Sequence, residues 1–304
     1  MLKYQQIKRK PRVLRALTSL DPAEFEALAE VMERQWQQYR YAHPTTSQPR
    51  QRQAGGGRKA ALSTGEDKLL FILFYYKTYP LQEVLGFFFG MSQGNACDWI
   101  QELSQVLKLA LAELDYLPTR QPTALAKVLA ECDTEAVAID GTERRRQRPG
   151  DYETQKDYYS GKKHTHTLKN NVIATLDDRQ VRYLSATYPG KTQDKKICDQ
   201  EAATFPQDTV LYQDKGFQGY APEGVTIRQP LKKPRGKELP AEEQVRNSLI
   251  SSVRIVIEHV IAGIKRCRIV KDVFRNTADG FDDTVMEIAC GLHNFRTASR
   301  SQPT

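Results

Sequence analysis

Two short apolar segments of the sequence each run into an aspartate that is closely followed by a glycine. "VAIDG" ends at Asp140 and Gly141, and "VLYQDKG" carries Asp214 two residues before Gly216. Apolar runs of this length that stop at a Gly-containing turn predict β-strands. Because sites in α/β sheets are assembled at the carboxyl ends of strands, both aspartates are candidate site residues.

A third carboxylate, Glu258, lies in the mostly apolar segment "SSVRIVIEHVIAGIKRC" (251–267). At about 100° per residue in an α-helix, Arg254, Glu258 and Lys265 fall within about 40° of one another, at the border of an apolar stripe. That stripe contains Val253, Val256, Ile257, Val260 and Ile264. The pattern predicts a helix that packs on one face and carries charge along its edge, as either a salt-bridged surface or a site.

Converging carboxylates repel one another unless a cation neutralises them, and a hard, oxygen-preferring ion such as Mg²⁺ is the natural partner. Two such ions, about 3.5–4 Å apart, stabilise the attacking and the leaving oxygen of an in-line phosphoryl displacement. Taken singly, an Asp-Gly pair is more often a turn and a lone Glu is more often a surface residue. The residue types alone therefore leave a metal site and ordinary turns both open.

The composition leans towards a polyanionic partner. Lys and Arg outnumber Asp and Glu by 45 to 37, a net charge of +8, with basic charge concentrated in residues 1–60 and 141–170. The five cysteines form no CxxC pair, which disfavours a zinc site or a disulfide framework. No apolar run is long enough to cross a bilayer, and the first residues lack the core of a secretion signal. A soluble, intracellular protein with no membrane partner is expected.

The first part of the chain predicts a helix followed by a linker. A helix start at Asp21-Pro22 precedes apolar residues at helical spacing. Residues 41–62 are rich in Pro, Gly, Gln and Arg, which is typical of a flexible basic linker. The functional alternative is an arm along a phosphate backbone, with Arg58 and Lys59 in contact with DNA.

From Ser63, a capping box with Glu66 and three apolar-periodic segments predict further helices. The joint "FGMSQG" is the short, Gly-containing turn expected within a helix-turn-helix. Ser92 is the predicted N-cap, and Gln93 and Asn95 lie on the exposed start of the predicted recognition helix. An ordinary helical bundle remains the alternative.

After a Pro-punctuated connection near residues 117–133, the apolar period changes from that of helices to that of strands. Strands come first, including one that would end at Asp140, and are then mixed with helices. This order predicts a mixed α/β sheet with helices on its faces.

The spacing Arg254-x3-Glu258-x6-Lys265 resembles the carboxyl-terminal signature of the DDE transposases of bacterial insertion sequences, although Ser251 stands where that signature usually has Tyr. "DGTE", "QRP", "YYSGKKHTHTLKN", "PGKTQDKKI", "QDKGFQGY" and "CGLHNFR" also occur in the order seen in the subgroup named after insertion sequence five and its Harbinger-like relatives. The region from "GGGRKAAL" to "ACDWI" is similar to the helix-turn-helix of that subgroup. The resemblance spans about residues 55–297.

The resemblance implies an RNase H-like catalytic domain at residues 125–300, with a mixed sheet flanked by helices. An all-α helix-turn-helix domain at 61–118 and an N-terminal helix with a basic linker at 1–60 would precede it. The implied catalytic residues are Asp140, Asp214 and Glu258, 74 and 44 residues apart in the chain. They would bind two Mg²⁺ ions, for which Mn²⁺ can substitute. The implied enzyme is a DNA transposase that binds the terminal inverted repeats of its element, cleaves to free 3′-OH ends and joins these to target DNA.

Other residues are predicted to support this site. Arg254 and Lys265 are expected to hold DNA phosphates by charge and hydrogen bonding. Four more basic residues near the site are predicted DNA contacts, with a solvated strand edge as the alternative for the lysines: Lys162, Lys163, Lys169 and Arg144. Asp194 is expected to support the metal ligands from behind or to cap a helix, since Gln193 replaces the His that is common in relatives.

The expected partners are double-stranded DNA, as inverted repeats and as target, and a second subunit. Two element ends must be joined in one reaction, so a homodimer or a larger assembly is expected on DNA. The expected location is the bacterial cytoplasm, at the nucleoid when DNA is bound. Two alternatives stay open: a domesticated DNA-binding protein without catalysis, and a metal-dependent DNA nuclease without strand transfer.

Overall fold

The computed structural model describes residues 1–42, 61–132, 134–233, 236 and 238–301. The chain divides into two compact units, one of Met1–Tyr116 with Arg266–Ile269 and the other of Leu117–Lys265 with Val270–Thr304. Most of the predicted basic linker, including Arg58 and Lys59, lies outside the described residues.

The first unit is helical. Its helices are α1 (Tyr4–Ile7), α2 (Pro11–Thr18), α3 (Pro22–Ala42), α4 (Gly65–Thr78), α5 (Gln82–Phe89) and α6 (Gln93–Glu113). Helix α4 is buried on all sides from Leu69 to Tyr76, as expected for a helix that is apolar all round, and α2, α3 and α6 pack against it. The start of α4 differs by one residue from the sequence prediction, because Thr64 rather than Ser63 accepts the hydrogen bond from the Asp67 N–H, at 3.2 Å.

Helices α5 and α6 form the predicted helix-turn-helix. Helix α5 ends at Gly90, which adopts a left-handed conformation (φ 68°), and the Ser92 hydroxyl then accepts a hydrogen bond from the Asn95 N–H at 3.3 Å. Ser92 is therefore the N-cap of α6, as predicted. The following residues Gln93 and Asn95 are exposed, so the first turn of α6 is open to solvent.

The second unit is a mixed α/β sheet flanked by helices. Its strands are β1 (Ala136–Arg145), β2 (Tyr159–Ser160), β3 (Thr165–Thr175), β4 (Val181–Leu184), β5 (Tyr188–Pro189), β6 (Val210–Tyr212) and β7 (Thr226–Arg228). Its helices are α7 (Leu125–Glu131), α8 (Tyr152–Tyr158), α9 (Asp194–Glu201), α10 (Ala241–Ile264) and α11 (Phe281–Ser301). This architecture confirms the fold class predicted from the sequence.

The sheet order is β2-β3-β1-β6-β7, and β4 and β5 also pair with β3. Strand β1 is antiparallel to β3 but parallel to β6, which in turn is parallel to β7. Residues of β1 alternate between the two faces of the sheet. Val137 and Ile139 join a core cluster with residues of α7 and α9, whereas Arg144 contacts α11.

Helix α10 is, by length and composition alone, apolar enough to cross a membrane. Its Ile257, Val260 and Ile264 are buried in the protein, and Arg254 and Glu258 interrupt its apolar sequence. The core helix of a soluble protein meets the same criterion, so this finding is weak support for a membrane span.

The turn of the helix-turn-helix gives a stability prediction. Gly90→Ala is expected to destabilise the protein by about 1–2 kcal/mol, because a Cβ is disfavoured in the left-handed conformation. Gly94→Ala is the matched control: Gly94 lies in α6, no atom comes within 4 Å of an added Cβ, and Ala favours helix. Denaturant unfolding followed by circular dichroism measures both. Equal midpoints for the two variants would contradict this role of Gly90.

Candidate active site

Asp140 and Asp214 occupy equivalent positions on neighbouring parallel strands. Ala138 of β1 pairs with Tyr212 of β6, and each aspartate follows its paired residue by two positions. Since side chains alternate with a period of two, the two carboxylates start from the same side of the sheet at the same height. The sequence prediction that these aspartates belong to one region is consistent with this register.

Strand β1 does not end at Asp140, as the sequence suggested. It continues to Arg145 because the antiparallel partner β3 pairs with it throughout, with Asp140 opposite Val172 and Arg145 opposite Thr167. Only the parallel partner β6 stops near the aspartates. Asp140 therefore lies inside a long strand, at the point where one of its two neighbours ends.

Helix α10 adds a cation to the two aspartates. Nη1 of Arg254 lies 3.4 Å from Oδ1 of Asp214, and the Arg254 side chain is only 13% exposed. Glu258 lies one helical turn further along the same edge, with an exposed side chain. The structure thus brings together Asp140, Asp214 and Arg254, and Glu258 follows Arg254 by four residues on α10.

The pKa of Asp140 is raised to about 6, chiefly because the carboxyl group is buried. The hydrogen bond from the Gly141 N–H and the charge of Arg254 act in the opposite direction, and the nearby carboxylates of Asp214 and Asp194 raise the pKa further. Asp140 therefore lies in an environment where added positive charge is favourable.

Lys265 completes the charged edge of α10. Burial lowers the pKa of its ammonium group, and the charge of Lys163 lowers it again, whereas Asp140 and Glu143 raise it. Lys265 is thus within electrostatic range of the first aspartate, and the exposed Lys163 of the β2–β3 turn is near enough to repel it. Lys162 is exposed in the same turn.

Two of the predicted DNA contacts, Arg144 and Lys169, are buried and paired within the protein. Arg144 is 1% exposed and donates hydrogen bonds to the Asp282 carbonyl at 2.9 Å, to Oδ1 of Asn170 at 2.9 Å and to Oγ1 of Thr187 at 3.2 Å. Because β1 continues past Asp140, the Arg144 side chain is directed towards the protein interior. Lys169 is 7% exposed and forms ion pairs with Glu143 and Asp194, so two carboxylates of the protein itself neutralise its charge.

Asp194 is the first residue of α9, and its side chain approaches the backbone that follows each of the two aspartates. Its carboxylate faces Gly141, directly after Asp140, and Gly216, two residues after Asp214. The approach of Asp194 to these two glycines and the pairing of Glu143 are not among the predictions from the sequence. The Asp-Gly pattern is the available signal, because a missing Cβ leaves room for another side chain.

The acidic residues fit a hard divalent cation in their chemistry. All the donors are carboxylate oxygens, which suit Mg²⁺ or Mn²⁺. Oδ1 of Asp194 is buried, and its partner is the ammonium group of Lys169, at 3.2 Å. Among the residues that the structure describes, no three His, Cys, Asp or Glu side chains are already arranged to hold a metal.

Comparisons with known proteins address the family. Residues 139–294, slightly more than half of the chain, match the family described as "DDE superfamily endonuclease", and residues 61–113 match "Helix-turn-helix of DDE superfamily endonuclease". A relative from Microchaete diplosiphon, "Probable transposase for insertion sequence element IS702", is 27% identical over 243 residues, which cover 78% of this chain and 82% of the relative. No solved structure gives a significant match.

The corrected place of Arg144 leads to a prediction. Arg144→Ala is expected to destabilise the protein by at least about 2 kcal/mol, because it leaves several buried acceptors without their donor. Arg145→Ala, at the exposed neighbouring position, is the control and should change stability by less than about 0.5 kcal/mol. Thermal unfolding distinguishes them. If Arg144→Ala were as stable as Arg145→Ala, the buried network would not stabilise the fold.

Proposed function

We propose that this chain, which belongs to the DDE superfamily endonuclease family, is the transposase of a bacterial insertion sequence. The family inferred from the sequence motifs is confirmed by the matches. The proposal goes further: the protein binds the terminal inverted repeats of its element, cleaves to free 3′-OH ends and joins them to target DNA. The relative that is named a probable transposase supports it.

One observation carries the proposal. Asp140 and Asp214 leave equivalent positions of adjacent parallel strands and share the cation Arg254 from α10, the helix that also carries Glu258. We propose that Asp140, Asp214 and Glu258 hold the divalent cations, two Mg²⁺ ions or Mn²⁺ in their place. When bound, these ions supply the positive charge that stabilises phosphoryl transfer.

The residues of the chain would bind and orient the DNA. Arg254 is close enough to Asp214 to fix that carboxylate, and its guanidinium can also donate hydrogen bonds to a phosphate. Lys265 and Lys163 repel each other, and a negatively charged phosphate placed near them would attract both ammonium groups and offset that repulsion. No nucleophilic side chain is required, because the attacking group in both steps is water or the 3′-OH of DNA.

The helix-turn-helix would recognise the inverted repeats. The exposed first turn of α6 presents Gln93 and Asn95, whose amide groups can form paired hydrogen bonds with adenine in the major groove. Ser92 is engaged as the N-cap, and its contact with DNA, like those of Arg58 and Lys59, stays a prediction. A homodimer or larger assembly, acting in the bacterial cytoplasm, would hold the two ends together.

The catalytic assignment predicts the behaviour of three variants. Asp140→Asn, Asp214→Asn and Glu258→Gln are each expected to lower the cleavage of end-containing DNA in Mg²⁺ by about 10³-fold or more, while binding of the ends remains. Glu242→Gln, an exposed position at the start of the same helix, is the matched control with full activity. Chelation of the metal should stop cleavage by the wild type.

Each competing function gives a different result in this experiment. Full activity of Glu258→Gln would show that Glu258 is not a ligand. Binding of ends without cleavage by the wild type would favour the domesticated DNA-binding protein. Cleavage without joining of the 3′ ends to target DNA would favour the nuclease.

The β2–β3 turn gives a separate prediction for DNA affinity. Lys163→Ala is expected to weaken binding by a similar factor for every DNA sequence and to reduce the slope of log K against log salt by about 0.9, the loss of one phosphate contact. Lys127→Ala removes the same charge from α7, where the lysine side chain is 82% exposed, and serves as control. Gel shifts over a series of salt concentrations measure the slope. An unchanged slope in Lys163→Ala would remove Lys163 from the DNA interface.

A further inference from the structure

Lys169 is buried between two acidic side chains, those of Asp194 and Glu143. Its Nζ atom is 3.2 Å from Oδ1 of Asp194 and 3.5 Å from Oε1 of Glu143, and it donates a hydrogen bond to the Thr192 carbonyl at 2.8 Å. Glu143 is directly opposite Lys169 in the β1–β3 register. The side chains of Lys169 and Glu143 are each 9% exposed. A charge this deeply buried is tolerated only when it is paired, so the ammonium group is fixed by its acidic neighbours.

The carboxylate that Lys169 holds is wedged between two backbone segments. A Cβ atom on Gly141 would lie 2.6 Å from Oδ1 of Asp194, and one on Gly216 would lie 3.2 Å from Oδ2. The backbone of Asp194 is fixed as well, because Nδ2 of Asn171 donates a hydrogen bond to its carbonyl at 2.9 Å. Each oxygen of this one carboxylate therefore faces the chain immediately beyond Asp140 or Asp214.

The Asp194 carboxylate lies where the strands that carry the two aspartates are no longer paired with each other. The register between β1 and β6 ends at Ala138 and Tyr212. Beyond it, β1 continues with β3, while the chain after Asp214 turns into a short 3-10 helix, Lys215–Phe217. Without its counter-ion, the Asp194 carboxylate would repel both aspartates, since like charges at short range are destabilising.

We propose that Lys169 is a positioning residue: it neutralises Asp194 and holds that carboxylate between Gly141 and Gly216, which sets the spacing of Asp140 and Asp214 for divalent cations. The inference rests on the proposed function, because it assigns the two aspartates to the metal. Lys169 acts through Asp194 and touches neither the metal nor DNA.

The test measures Mn²⁺ binding to the full chain by isothermal titration calorimetry, together with the unfolding temperature in the absence of metal. Lys169→Met is expected to weaken Mn²⁺ binding by about 10- to 100-fold, the usual effect of removing a group that orients metal ligands. Lys169→Arg, which keeps the charge, should stay within about 3-fold of the wild type. Lys127→Met, on the surface of α7, is the control for the loss of one lysine.

A double-mutant cycle separates positioning from other roles. In a chain that already carries Asp194→Asn, Lys169→Met should have little further effect on Mn²⁺ affinity, because the lysine acts through that carboxylate. Gly141→Ala leaves Lys169 in place but pushes Asp194 aside, and it should reproduce the loss even if Lys169→Met does not fold.

Several outcomes would overturn the proposal. One is a folded Lys169→Met protein with a lower unfolding temperature but wild-type Mn²⁺ affinity, which is the result expected of a purely structural ion pair. Additive effects of Lys169→Met and Asp194→Asn would also overturn it, as would a loss in Asp194→Asn as large as in Asp140→Asn, which would make Asp194 a ligand. If the wild type itself bound no Mn²⁺, the proposed function would fail instead.

Discussion

Repulsion between carboxylates at the end of the β1–β6 pair is the constraint on which the second unit depends. Asp140, Asp214 and Asp194 approach one another where the parallel register stops, and burial raises the pKa of Asp140 in addition. Such an arrangement is costly unless positive charge is supplied. The protein supplies positive charge from two sides, with Arg254 on α10 and Lys265 directly after it on one side, and Lys169 on β3 on the other. The charge still lacking is what the proposed divalent cations would bring.

The apolar face of α10 determines where the helix places its positive charge. Ile257, Val260 and Ile264 are buried in the protein, which fixes the rotation of the helix and brings Arg254 to Asp214. Ser251 lies on the same edge of α10 as Glu258 and is exposed. A larger side chain there would extend outwards rather than fill the core. Position 251 therefore lies at the surface of α10 and takes no part in its buried core.

Much of the fold and of the candidate site could be predicted because it depends on short, local sequence patterns. Apolar period two, the Asp-Gly stops and the Gly turn before Ser92 indicated the mixed sheet, its aspartates and the helix-turn-helix. The burial of Arg144 and Lys169 could not be predicted, because it depends on β3 pairing with β1 beyond Asp140, a long-range register that no local pattern reveals. The position of Asp194 between Gly141 and Gly216 likewise joins three distant segments, and helix α1 (Tyr4–Ile7) has too few residues for a clear periodicity.

The central claim is that Asp140, Asp214 and Glu258 share divalent cations. The most direct test is anomalous X-ray diffraction from crystals of the full chain grown with Mn²⁺ and DNA that carries an element end. The expected result is an anomalous peak coordinated by Asp140 and Asp214, with Glu258 turned inwards to bind the same pair of ions. A peak bound elsewhere, or one at the aspartates with Glu258 still directed into solvent, would contradict the claim.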